Sequence, residues 1–422
     1  MLPNLFLFLK AISVIFSLAF WRLKLRIRAS IHHWTYRAIA DPKNVVVIGG
    51  SFAGFFLAKQ LAQSLPTGYR AIVIEKHSHY HFTWNFPRIS VIPHHTQNAF
   101  IPYPTKPSLT PDGAFSFRRG KVVRIETNKV ILADGSSIRF EYLAITTGSK
   151  ARYPAKLDAN GKAECIKFFE ERQARIKAAE SIVIVGGGAA GVELAGDIKS
   201  KYPQKKMTLV HSRKQLLNSF GSDLHEVAHK TLEELGVDLC LGERVVAGLD
   251  SEEEDSKEVI LQSGKRLKCD ALFQCTGQRP CSDLTRDAFP SSVAPNGYIT
   301  VKPTFQVKGA PGNVFACGDV VDLPGPKLGR SAAMQGMFVA ENIVRAIKGQ
   351  PLRTYTSGIM ENSIELTLGL GKNVTYLNDG STGMCFPKKV TDLDMHAAQS
   401  WKMLDMKPFD DPGNVDDKVL LA

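Results

Sequence analysis

Residues Asn44 to Gly54 read NVVVIGGSFAG. Val45, Val46, Val47 and Ile48 form a β-branched run into Gly49 and Gly50, and Gly54 precedes the helical stretch Phe55-Phe56-Leu57-Ala58. This pattern predicts a buried parallel strand, a tight turn and a helix start. Such a turn can hold a pyrophosphate, because backbone N–H groups approach the anion and the helix N-terminus adds partial positive charge. In the G-x-G-x-x-G frame the middle glycine is replaced by Ser51, and Phe52 and Ala53 complete the loop. A second apolar run, Ala71-Ile72-Val73-Ile74, ends at Glu75, 21 residues after Gly54. A carboxylate there is placed to accept hydrogen bonds from an adenosine ribose.

The same pattern returns downstream. Ser181-Ile182-Val183-Ile184-Val185 leads to Gly186, Gly188 and Gly191, with Val192-Glu193-Leu194-Ala195 opening a helix. The partner strand Met207-Thr208-Leu209-Val210 ends at His211, 20 residues after Gly191, where a carboxylate would otherwise stand. A carboxylate at that point repels a 2′-phosphate, so its absence, with Ser212, Arg213 and Lys214 beside it, allows NADPH as well as NADH. Two such motifs, 137 residues apart, are far more specific than one. The simplest chemistry that holds two dinucleotides is a flavoprotein taking hydride from a nicotinamide.

Further strand ends fit the scheme. Phe140 to Thr146 ends in Thr147-Gly148-Ser149, and Ala271 to Cys275 ends in Thr276-Gly277, each a further backbone approach to a nucleotide. Asn313 to Cys317 stops at Gly318-Asp319, ahead of a helix predicted over 331–348. The expected fold is α/β, with an NAD(P)-binding Rossmann-like domain (156–280) inserted into an FAD-binding one (41–155 and 281–349). A leader (1–40) precedes them and a small α+β C-terminal domain (350–422) follows. His77, His79 and His81 alternate, but no nearby carboxylate or cysteine completes a ligand set, so no metal is expected. Glu252 to Asp255 reads as a solvated hairpin tip.

Composition limits the partners. The net charge is +12, but Lys10, Arg22, Lys24, Arg26, Arg28 and Arg37 place half of it in the acid-free first 40 residues. That distribution argues against specific nucleic-acid binding. Seven cysteines form no C-x-x-C or C-x4-C pair and read as thiols in a reducing compartment. The leader carries LFLFLKAISVIFSLAFW from Leu5 to Trp21, followed by WRLKLRIR from Trp21, without a small-residue cleavage site. A single membrane span is the leading reading; an interfacial helix and a cleaved organelle presequence remain open. If it spans, the basic flank puts the body in the cytosol. Leu2 follows the initiator, so no N-myristoyl group is expected.

Taken with FPRISV from Phe86, KVVRI from Lys121, LAITTGS from Leu143, CTGQRP from Cys275, NVFACGD from Asn313 and Ser400-Trp401-Lys402, the chain resembles the two-dinucleotide flavoprotein reductases. More narrowly, it resembles their apoptosis-inducing-factor-like, ferroptosis-suppressor-like branch; alternative NADH dehydrogenases are more distant. The resemblance implies that Gly49, Gly50, Ser51, Phe52, Ala53, Gly54, Arg88, the Val122 backbone and Asp319 contact FAD, with Asp319 on the ribityl chain. It implies that Gly186 to Gly191 and Glu193 serve NADPH or NADH, and that Lys327 and Gln335 lie near the flavin ring.

The resulting expectation is an FAD-dependent NAD(P)H oxidoreductase reducing a membrane quinone. The flavin carries the chemistry, so no catalytic Ser, His or Cys is required. Two rivals are a reductase of a soluble carrier such as a ferredoxin, and a non-enzymatic cell-death factor using nucleotide as a conformational ligand. The expected location is a membrane facing the cytosol, such as the mitochondrial outer membrane, the endoplasmic reticulum or a lipid droplet. A homodimer remains open.

Overall fold

The computed structural model describes residues 2–249 and 258–411, so the acidic stretch Glu252 to Asp255 lies outside the described residues. The chain opens with helix α1 (Leu2–Thr35), then strand β1 (Lys43–Ile48), helix α2 (Phe52–Ala62) and strand β2 (Tyr69–Glu75). Val45 to Ile48 are at most 4% exposed, as expected of a strand covered on both faces. β1 lies at the centre of a five-stranded parallel sheet, with β2 and then Phe115–Arg119 on one side. On the other side lie Tyr142–Ile145 and then Val314–Ala316. The last strand arrives from far along the chain, so this sheet is built from two separated segments.

Between those segments stands a second parallel sheet with the same plan. Ser181–Val185 lies between Lys206–His211 and Ala271–Gln274, with Asp238–Leu241 at the edge. Helix Ala189–Lys201 follows its central strand as α2 follows β1. Each unit also carries a three-stranded antiparallel meander, Val122–Ile125 through Ser137–Arg139 in the first and Val245–Ala247 through Arg266–Lys268 in the second. The expected α/β class, with two Rossmann-like folds and a small C-terminal α+β unit, is the architecture observed.

A two-stranded antiparallel ribbon joins the units. Ser149–Ala151 leaves the first sheet beside Gln278–Pro280 returning from the second, with Ser149 opposite Pro280. The chain therefore exits and re-enters at the carboxyl edges of both sheets, where parallel α/β sheets bind ligands. Helix Gly329–Ile347 crosses α2 closely, since a Cβ on Gly336 would strike the Ala53 carbonyl. The C-terminal unit is an antiparallel sheet (Ile364–Thr367, Lys372–Asn378, Gly383–Lys389) followed by helix Ala397–Met403. Trp401 is buried with Phe55, Tyr80, Phe82 and Ile101 of the first unit and donates its indole N–H to the Asn98 carbonyl at 2.9 Å.

Candidate functional site

Two turns carry the site. Gly49 has φ +98°, a left-handed value that disfavours side chains, and a Cβ there would stand 2.5 Å from the Thr146 carbonyl oxygen. A Cβ on Gly54 would be driven into the Gly49 carbonyl, so the first turn of α2 sits directly on the strand-end backbone. The second unit repeats this: Gly186 has φ +120°, and side chains on Gly186 or Gly191 would strike the Cys275 and Gly186 carbonyls. The middle glycine differs. Gly188 has φ −80° and nothing within 4 Å of where its Cβ would stand. Its smallness opens a cradle and does not permit a strained backbone. Ser51, at the matching place, has φ −82°, which any residue adopts, so the departure from the fingerprint leaves the turn intact.

Neither helix has a side-chain N-cap, so the first N–H groups of α2 and of Ala189–Lys201 face the turn without a side-chain acceptor. Unfilled helix N-termini beside an open cradle suit a diphosphate. Phe52 and Ala53 belong to the first turn of α2.

Behind each turn stands one acceptor. The buried Glu75 carboxylate takes the Gly50 N–H at 2.6 Å and the His77 N–H at 2.9 Å, and pairs with His77 Nδ1 at 2.8 Å. Burial works against its charge, but the hydrogen bonds and charge of His77 and the Gly50 N–H prevail and hold its pKa at about 2. In the second unit His211 occupies the same place, and its Nδ1 accepts the Gly187 N–H at 3.1 Å. Burial lowers the pKa of His211 and favours the neutral ring. The acceptor is kept while the negative charge is lost. Sequence reasoning registered His211 only as a missing carboxylate; its position at the strand end was the available signal. Ser212 and Arg213 are exposed just beyond it.

The two carboxyl edges communicate through the ribbon. Ser149 Oγ lies 3.1 Å from Asp319 Oδ2 and 2.9 Å from Gln278 Oε1, next to Gly277. Gly277 has φ +96° with open space around it, and Gly148 has φ +65° and accepts the Cys281 N–H at 2.9 Å. Thr147 donates its hydroxyl to the Cys281 carbonyl at 2.6 Å. Lys156, absent from the sequence expectation, pairs with Asp319 at 3.2 Å and donates to the Ser149 hydroxyl at 2.6 Å. No local pattern marked it. Gln335 accepts the Gly318 N–H at 2.9 Å and so fixes the turn that presents Asp319. Val122 opens the first meander, where the pairing with Leu132 shifts register.

Two positions that the resemblance assigned to FAD and the flavin ring have protein partners of their own. Arg88 is tied to the second unit. Its Nε donates to Asp197 at 2.8 Å and its Nη2 to the Gly369 carbonyl at 3.2 Å, and it is 1% exposed, because a buried guanidinium needs a counter-charge. Lys327 likewise turns to its own loop, donating to the Val321 and Leu323 carbonyls at 2.8 and 3.1 Å, 5.1 Å from the centre of the Tyr298 ring. Glu193, one helical turn before Asp197, accepts from the Thr367 N–H and hydroxyl at 3.1 and 3.3 Å. Burial, reinforced by Asp197 and opposed by Thr367 and Arg88, raises its pKa to about 8.

Between pH 4.5 and about 8 the folded protein keeps a proton on Glu193 that the unfolded chain releases, so this contribution to stability is lost as pH rises through that window. Glu75 acts oppositely: its contribution is present above 4.5 and lost as pH falls toward about 2. Glu193→Gln is expected to flatten the fall in urea midpoint between pH 4.5 and about 8 and to leave the loss of stability below pH 4.5 in place. An unchanged slope between pH 4.5 and about 8 contradicts the assignment.

Residues 43–336 match the family model described as pyridine nucleotide-disulphide oxidoreductase. The chain is 34% identical over 356 residues to Fe-regulated protein 8 of Mycosarcoma maydis, covering 79% of this chain and 88% of that one. It is 30% identical over 377 residues to the human ferroptosis suppressor protein 1, covering 86% of this chain and 96% of that one. Among solved structures, the sulfide:quinone oxidoreductase of Aquifex aeolicus superposes with a TM-score of 0.69 at 19% identity, over 86% of this chain and 90% of that one. With its two glycine turns, matched acceptors and nested sheets, this chain belongs to the pyridine nucleotide-disulphide oxidoreductase family of FAD/NAD(P)-dependent oxidoreductases, in the branch that includes the ferroptosis suppressor proteins.

Proposed function

We propose that this protein is an FAD-dependent NAD(P)H oxidoreductase that delivers electrons to a quinone dissolved in a membrane. The observation that carries the reading is the pair of matching glycine turns, one at the strand end of each unit, in two units joined at their carboxyl edges by the ribbon of Ser149–Ala151 with Gln278–Pro280. Bound there, FAD would supply the hydride-accepting and electron-donating chemistry between the reduced nicotinamide and the acceptor.

The protein's own groups bind and orient. The α2 N-terminus and the Gly49 to Gly54 turn would take the FAD diphosphate, and Glu75 braces that turn through the Gly50 N–H. Asp319, held by Gln335 through Gly318 and by Lys156, receives the ribityl hydroxyls. The Gly186 to Gly191 turn takes the nicotinamide dinucleotide. Glu193, with a pKa near 8, keeps a proton on its carboxyl group at neutral pH within the buried cluster of Arg88 and Asp197.

Three features support the acceptor. None of the seven cysteines forms a disulfide, and no pair has the spacing of a redox dithiol, so electrons have no protein disulfide as their exit. A quinone appears in the name of the Aquifex neighbour. Helix α1 offers a long exposed apolar surface, which suits an acceptor carried in lipid.

Neutral His211, with the exposed Arg213 and Lys214 nearby, favours NADPH over NADH, because no carboxylate repels the 2′-phosphate. His211→Glu is expected to shift the ratio of kcat/KM values about tenfold toward NADH, equal to about 1.4 kcal/mol of discrimination. An unchanged ratio in steady-state assays removes His211 from nucleotide selection. For the acceptor, the reduced protein is mixed with a ubiquinone analogue in vesicles or with a ferredoxin in solution. Reoxidation by the quinone alone is expected; reoxidation by ferredoxin alone contradicts the reading.

A further inference from the structure

Helix α1 has two faces with different partners. One lies on the body: Leu7 and Ala11 pack with Ile359, and Lys10 pairs with Asp379 at 2.8 Å. Toward its other end, Ala29 is 2% exposed and His32 Nε2 stands 2.6 Å from the Leu65 carbonyl. Opposite this face, Phe16, Phe20, Leu23, Ile27, Ile31 and Trp34 follow at three- and four-residue steps and are 53–77% exposed. At 100° per residue they form one stripe. Arg22, Lys24, Arg26 and Arg28 accompany it, and the first 40 residues contain no acid.

We infer that α1 is a strap that lays the whole protein flat on an anionic bilayer surface, with the Phe16–Trp34 stripe among the acyl chains and the basic residues among the headgroups. The anchoring points decide between lying and spanning. Leu7 and His32 both touch the body, and about 37 Å of helix separates them, more than the roughly 30 Å of a hydrocarbon core. A spanning helix would have to release the Leu7, Lys10 and Ala11 contacts and leave Asp379 without its lysine. Charge decides between lipid and a second copy: two α1 stripes face to face would bring the basic residues of both together without an acid, whereas anionic headgroups neutralise them. The strap also fixes orientation. Ile359 and Met360 lie beneath its N-terminal part, and the Met360 carbonyl accepts from Arg330 at the start of the helix that carries Gln335. Helix Ile359–Asn362 thus links α1 to the helix that shapes the Asp319 turn. This inference concerns the lipid contact and does not depend on which acceptor is reduced.

The test uses the full-length, FAD-loaded protein with an N-terminal epitope tag, added to sealed phosphatidylcholine vesicles with or without phosphatidylserine. Expected are co-flotation that strengthens with phosphatidylserine, and cleavage of the tag by external protease on bound protein. Phe16→Glu with Ile27→Glu, which adds charge only on the outward face, is expected to lower partitioning at least about tenfold. Lys24→Glu with Arg26→Glu is expected to remove the phosphatidylserine dependence. Circular dichroism and flavin content report that these variants fold. A tag protected in the lumen, a stripe variant that floats as wild type, or a stripe variant that turns a dimer into a monomer with unchanged flotation overturns the inference. Flavin bleaching by NADPH in detergent, measured on the same samples, reads the proposed oxidoreductase separately, since its loss leaves the flotation result standing.

Discussion

The structure depends on a backbone-to-backbone approach too close for any side chain. At Gly49 and Gly54, and again at Gly186 and Gly191, the strand end and the first helical turn touch without a Cβ between them. That contact lets the helix start immediately after the strand, with its uncapped N–H groups turned to the carboxyl edge of the sheet. A single Cβ at any of these positions would push the helix away and take those donors with it. The central position of each turn is under no such constraint, which is why serine serves in one and glycine in the other.

Given two such turns, three ties across the units fix how they sit relative to one another. The ribbon of Ser149–Ala151 with Gln278–Pro280 joins their carboxyl edges. The buried Arg88–Asp197 pair joins the segment after β2 to the second fingerprint helix and, through Gly369, to the C-terminal sheet. Glu193 is bonded to Thr367 of that same sheet. Breaking a buried pair by removing one partner leaves an uncompensated charge, so Arg88 and Asp197 hold the geometry more tightly than their single hydrogen bond suggests.

What was legible in the sequence was local. The β-branched runs, the glycine spacing and the strand-end residues Glu75 and His211 lie within about 30 residues of one another, the span of one βαβ unit. The nested topology was legible because the pattern occurs twice and the Gly318-Asp319 strand returns after it. The partners of Arg88 were not legible, because they are fixed by tertiary packing. Asp197 is 109 residues from Arg88, and Gly369 is 281 residues away. Lys156 was missed because a lone lysine after a strand carries no pattern. The leader was legible as apolar and basic, but composition alone does not separate a stripe facing lipid from a face packed on protein; that needed Leu7, Lys10 and Ala29 seen against the body.

We propose that the two turns hold FAD and a reduced nicotinamide nucleotide so that their rings meet. An anaerobic titration of the FAD-loaded protein with NADPH, following the flavin absorbance, decides this. Complete bleaching at one NADPH per FAD is the predicted result. NADPH that binds while the oxidised flavin spectrum persists, or purified protein that takes up no FAD, would contradict it.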